Sequence, residues 1–144
     1  MRVKLLREGA RAPSRAHPSD AGYDLYYCGT PREIWPHTVQ VLGCGVAVDF
    51  DTADPDGPLR CGLVRDRSSV ASRGLVVVGG VIDAGYRGEL KVCLLNTSDR
   101  MLTVNHGEKI AQLLIIEVAS DPVTVVDSLS PGDRGPAGFG SSGR

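Results

Sequence analysis

The sequence predicts an all-β domain, a distorted jelly-roll barrel with one short helix. Three observations carry that expectation. Short β-branched runs recur along the chain, Gly 18 and Pro 9 punctuate them, and no apolar pattern holds a 3.6-residue period for three turns. Many short strands without long helices between them pack as a sandwich or a closed barrel.

Taken in order, residues 2–6, 38–42, 45–50, 59–64, 75–78, 89–95, 110–118 and 123–126 each read as a strand, being runs of Val, Leu, Ile or Thr. Turn chemistry separates them at Asp54-Pro55-Asp56-Gly57-Pro58, Asp83-Ala84-Gly85 and Asn105-His106-Gly107. Residues 67–72 are the helical candidate. Residues 1–127 form the expected core. Residues 128–144 hold Pro131, Gly132, Gly135, Pro136, Gly138, Gly140 and Gly143 and one aromatic, Phe139. Such a segment buries too little surface to order itself. It reads either as a disordered terminus or as a flexible lid over a site.

At 144 residues the chain fits one domain. Lys+Arg 16 against Asp+Glu 17 leaves a net charge of -1, without the cationic excess that a duplex nucleic-acid surface needs. The N-terminus carries charges every few residues and lacks the apolar region of a signal peptide. No run approaches the ~18 apolar residues of a membrane helix. Cys28, Cys44, Cys61 and Cys93 are widely spaced, without a Cys-x-x-Cys or paired His, and read as buried thiols in a reducing cytosol rather than a disulfide frame or zinc site. The sequon Asn96-Thr97-Ser98 is then chemically silent.

Four stretches admit two readings each. Ser19-Asp20-Ala21-Gly22-Tyr23-Asp24-Leu25 is a turn entering a strand, or it points Asp24 at a hydrated metal ion. Arg67-Ser68-Ser69 is a helix cap, or an anion site of amides, hydroxyls and guanidinium. Asp83-Ala84-Gly85-Tyr86-Arg87-Gly88 is a β-turn, or it presents Asp83 as a general base beside an aromatic platform. Gly107-Glu108-Lys109-Ile110-Ala111-Gln112 is a hairpin followed by a buried strand, or a further phosphate contact. Together they offer carboxylates for base and metal work, Arg, Gln and hydroxyls for phosphate oxygens, and aromatics for a base. That inventory suits a nucleoside triphosphate held without a Walker loop, since no GxxxxGK[ST] occurs.

The order and wording of Ala21-Gly22-Tyr23-Asp24-Leu25, Arg67-Ser68-Ser69, the run from Gly80 to Glu89, the run from Gly107 to Gln112, and the run from Arg134 to Gly143 resemble the five motifs of trimeric dUTPases. The resemblance implies a jelly-roll homotrimer whose three sites each draw on all three subunits. It implies hydrolysis of dUTP to dUMP and pyrophosphate, which keeps uracil out of DNA and supplies dUMP for thymidylate synthesis. Asp83 would activate the water that attacks the α-phosphorus. Tyr86 would pack under the deoxyribose, and main-chain groups at Gly80, Val81, Ile82 and near Lys91 would read the uracil edge. Arg67, Ser68, Ser69 and Gln112 would hold phosphates. Arg134, Gly140, Ser141 and Ser142 would close over the γ end with Phe139 stacked on the base. Mg²⁺ would be held mainly by the triphosphate and waters, with Asp24 reaching it through water.

The chain departs from that family's pattern at Asp66, where Pro is usual, at Val70, where Leu or Met is usual, and at Ala137, where Gly is usual. Asp66 adds a negative charge beside a phosphate-binding arginine. Two alternatives stand beside this reading. The sister dCTP deaminases share the fold and an Arg-Ser-Ser stretch followed by Ala and Arg, here Ala71 and Arg73. Their glutamate falls at Cys93 in this chain, which cannot do the same acid–base work. The other alternative is a non-catalytic nucleotide-binding trimer, against which the intact Asp83, Tyr86, Gln112, Arg134 and Phe139 argue.

Overall fold

Hydrophobic alternation builds a mostly β molecule in which strands share one interior. A computed structural model of the chain describes residues 1–50, 57–132 and 135. Its elements are β1 (Arg2–Leu5), β2 (Tyr23–Tyr26), β3 (Arg32–Ile34), β4 (Val39–Gly43), β5 (Val46–Asp49), β6 (Arg60–Arg65), α1 (Ser68–Ala71), β7 (Leu75–Val77), β8 (Val81–Ile82), β9 (Lys91–Asn96), β10 (Leu102–Val104) and β11 (Lys109–Glu117). All pairings are antiparallel: β1 with β5, β3 with β10, a three-stranded sheet β4-β9-β7, and a four-stranded sheet β2-β11-β6-β8. Among the described residues these four sheets do not join into a continuous closed barrel. No helix among them is long and apolar enough to cross a membrane.

The core follows from the period-2 pattern. Along β9, Val92 and Leu94 point inward while Lys91 faces out, and along β11 the buried positions are Ile110, Ala111 and Leu113. These side chains meet Leu25, Ile34, Leu42, Val46, Val48, Phe50, Val64 and Leu75 in one apolar cluster. Among the described residues Asn96 is the fully buried polar side chain. Its amide donates to the carbonyls of Ile34 and Arg100, and its oxygen accepts from Ser98. The sequon asparagine is thus a structural clasp.

Three expectations need correction. Residues 123–126 do not form a strand: the segment is extended coil, with Val123 95% and Val125 94% exposed. β propensity makes a strand only against a partner, and among the described residues no sheet edge pairs with this one. The short strands β2, β3, β8 and β10 were not separately expected, although β2 is the strand that the turn before Tyr23 enters. The helix starts at Ser68 with Arg67 as its N-cap and no side-chain capping bond, so the serines do not act as caps. The expected turn at 54–58 begins outside the described residues.

Candidate active site

The central position of β11 assembles the first cluster of polar groups. Gln112 is the cross-strand partner of Asp24 on β2 and of Arg65 on β6, so three polar positions share one rung. Two residues beyond Arg65 the chain has turned into α1, placing Arg67, Ser68 and Ser69 beside that rung. The result is an open cleft of about 420 Å³ bordered by Asp24, Arg67, Ser68, Ser69, Lys109 and Gln112, together with Ala16, Asp20, Ala21 and Gly22.

Lys109 reaches this cleft through a register shift. The β11–β2 pairing slips between Lys109 and Ala111, so that Lys109 lies opposite Tyr26. In an unbroken ladder a residue three positions from Gln112 would face the other side of the sheet. The bulge instead turns it to the side of Asp24 and Gln112.

Asp24 organises the charges. One carboxylate oxygen accepts from Arg67 Nε at 2.8 Å, and the other accepts from Lys109 Nζ at 2.7 Å. The hydrogen bond and charge of Asp24 raise the Lys109 ammonium above its ordinary value of 10.5. A cation pair is therefore held in place by one anion at the border of the cleft.

Gln112 is fixed from two sides. Its Nε2 donates to the Asp66 carbonyl at 2.7 Å. Its carboxamide also occupies space left by the missing side chain of Gly22. The carboxamide thus lies along the cleft wall next to the Arg67 turn.

The second cluster is separate within one chain. Gly79 and Gly80 take φ of +85° and +107° to pass from β7 into β8, and Val64 N–H donates to the Gly80 carbonyl at 2.7 Å. A Cβ on Gly80 would lie 2.7 Å from the Val64 carbonyl oxygen, so only glycine fits. Beyond Val81 and Ile82, Asp83 stands exposed in a turn closed by the Tyr86 amide donating to its carbonyl at 3.0 Å. Tyr86 OH donates to the Glu89 carbonyl, which pins an exposed ring. Lys91 lies across from Gly43, and its side chain borders a different hollow with Arg7, Arg32 and Glu89.

The structure therefore brings Asp24, Arg67, Ser68, Ser69 and Gln112 together. It places Gly80, Val81, Ile82, Asp83 and Tyr86 on β8 and the turn after it, a segment that lines no part of that cleft. Arg134, Phe139, Gly140, Ser141 and Ser142 lie outside the described residues, as does Ala137. Lys109, Asp20 and Gly22 border the cleft without having been singled out as site residues. The signal for Lys109 was a basic residue three positions before Gln112, hidden because strict alternation points it away.

A family model described as dUTPase matches residues 8–143. The deoxyuridine 5'-triphosphate nucleotidohydrolase of Tropheryma whipplei (strain Twist) is 42% identical over 148 residues, covering 100% of this chain and 97% of that protein. The dUTPase of Staphylococcus bacteriophage 80alpha with dUPNHPP is similar at a TM-score of 0.86 and 32% identity, covering 99% of this chain and 98% of that one. A variant of the dUTPase from phage phi11 of S. aureus, described with a structural Mg(II) ion, is similar at a TM-score of 0.77 and 30% identity, covering 90% and 98%.

Proposed function

The chain belongs to the dUTPase family, and on that premise we propose that it hydrolyses dUTP to dUMP and pyrophosphate in a site shared between subunits of a jelly-roll homotrimer. The observation that carries this reading is the cleft where Arg67, Ser68, Ser69, Lys109 and Gln112 converge around Asp24. Cations, hydroxyls and an amide are the donors that phosphate oxygens need.

The division of labour supports the shared site. One chain holds phosphate groups in its cleft and presents Asp83 and Tyr86 on the turn after β8, which does not border it, so a neighbour's turn completes each cleft. Exposed Val123, Val125 and Leu129 also support association, because a soluble chain rarely leaves such a run uncovered. In this reading residues 128–144 are a lid that brings Arg134, Gly140, Ser141 and Ser142 to the γ end and Phe139 to the base.

Asp83 takes a proton from water as its oxygen attacks the α-phosphorus, and pyrophosphate leaves in line. Its exposure on a turn leaves room for that water. The Tyr86 ring, held by its own hydroxyl, packs under the deoxyribose, while the backbone at Gly80, Val81, Ile82 and near Lys91 reads uracil.

The donor set fits Mg²⁺ carried by the triphosphate. Both Asp24 oxygens already bind cations, and the described residues hold no group of three His, Cys, Asp or Glu that could cage a metal. Asp24 would accordingly hold the ion through water. An Mg²⁺ ion bound there would supply neutralisation of charge on the phosphate oxygens. None of the four cysteines forms a disulfide, which suits the cytoplasm, but only Cys28 and Cys44 are buried as expected; Cys61 and Cys93 are half-buried.

The test is a product assay over the deoxynucleoside triphosphates. Pyrophosphate and dUMP from dUTP, with little from dCTP or dTTP, are expected. Ammonia from dCTP would favour the deaminase reading, and binding without turnover would favour the non-catalytic trimer.

A further inference from the structure

Asp66 stands between the end of β6 and the first residues of the phosphate-binding turn, and its carbonyl and its carboxylate are both engaged. Its carbonyl accepts the Gln112 amide at 2.7 Å. Its carboxylate oxygen Oδ1 accepts the backbone N–H of Val77. That N–H belongs to the edge of the β4-β9-β7 sheet. Val78 N–H donates to the Cys93 carbonyl and Thr97 N–H to the Gly74 carbonyl, so residues 74 and 78 face β9. Hydrogen-bonded positions alternate along an antiparallel strand, so the Val77 N–H points to the open side. Asp66 thereby joins the edge of one sheet to the last turn of another. Its side chain is turned away from the cleft and does not border it.

We propose that Asp66 is a positioning residue for triphosphate binding. Its carboxylate anchors the turn that carries Arg67, Ser68 and Ser69 to β7, and its carbonyl sets the Gln112 carboxamide against the same turn. A negative charge beside Arg67 would by itself weaken phosphate binding. Spent on the Val77 N–H, it fixes the geometry of the groups that bind phosphate. The inference rests on the phosphate role proposed above for Arg67 and Gln112.

Steady-state kinetics with dUTP test it, alongside thermal unfolding so that each variant is assayed folded. Asp66→Ala removes the acceptor and should raise KM roughly ten- to a hundredfold with kcat nearly unchanged, since a small misplacement of binding groups costs that much. Asp66→Asn keeps an oxygen acceptor while removing the charge, and should restore KM to within about threefold of wild type. A wild-type KM in Asp66→Ala, with or without a lower melting temperature, overturns the proposal. So does a KM in Asp66→Asn raised as far as in the alanine variant, or a KM lowered in both, which would show that charge and not anchoring matters. If Asp66→Ala does not fold, the asparagine variant alone decides by the same limit. Arg67→Ala separates the two levels: unchanged KM there removes the phosphate reading itself, whereas raised KM with a silent Asp66→Ala removes only the positioning role.

Discussion

Gly22 and Gln112 occupy one space: a Cβ on Gly22 would fall 2.6 Å from Gln112 Oε1 and 3.0 Å from its Cβ. The second of these distances means that rotation of the carboxamide alone cannot relieve the clash. Gly22 does not have a positive φ, so alanine there meets a purely steric obstacle. Gly22→Ala should displace Gln112 from the cleft wall and raise KM for dUTP by about tenfold or more while the chain still folds. Kinetics with circular dichroism check this; an unaltered KM would show that Gln112 does not bind phosphate.

Asp24 holds Arg67 and Lys109 together, so removing its charge should loosen both. Asp24→Asn is expected to lower kcat/KM roughly ten- to a hundredfold and to raise the Mg²⁺ concentration needed for half-maximal rate. The pH dependence has a definite sign. Because Asp24 raises the folded-state pKa of Lys109, the pair's contribution is complete below 10.5 and is lost only as pH rises through the higher folded value. Titration of Lys109 should therefore leave the rate near neutral pH untouched. A Mg²⁺ titration of the variant identical to that of wild type would exclude contact of Asp24 with the ion's waters.

Cys44 is 1% exposed, and burial, reinforced by Glu89 and Cys28, pushes its thiol up to about 12. Since the thiolate is the nucleophile, Cys44 should resist iodoacetamide at pH 8 in the native protein and react only after unfolding. Mass spectrometry of labelled peptides reads this directly. The raised pKa also lowers stability as pH climbs from the ordinary 9.0 toward 12, because the unfolded thiol ionises first. Rapid native labelling of Cys44 would contradict its buried position.

Much of this molecule was legible because its chemistry is local. The strands at β4, β5, β6, β7, β9 and β11 follow from β-branched runs, and Asp24 and Gln112 meet Arg67, Ser68 and Ser69 because β2 and β6 flank β11 in one sheet and α1 follows directly on β6. What was not legible depends on long-range pairing. β3 (Arg32–Ile34) contains one apolar residue and exists through its ladder with β10. Residues 123–126 have strand composition and no strand partner among the described residues. Lys109 faces the cleft through a register slip that no periodicity encodes. Asp66, read as a charge next to Arg67, proves to be a hydrogen-bond acceptor for a strand 11 residues away.

The central claim is that each site takes Asp83 from one chain and the Arg67 cleft from another. The direct measurement is pyrophosphate release from dUTP by a co-refolded equimolar mixture of Asp83→Asn and Arg67→Ala chains. Each variant alone should be impaired, the first by about 10²–10⁴-fold if Asp83 is the general base. In the mixture, random assembly gives about a quarter of the sites an intact Asp83 and an intact Arg67 from different chains. Activity should then rise to roughly that fraction of wild type. A mixture no more active than the average of its two components would place both residues in a site built by one chain and contradict the account.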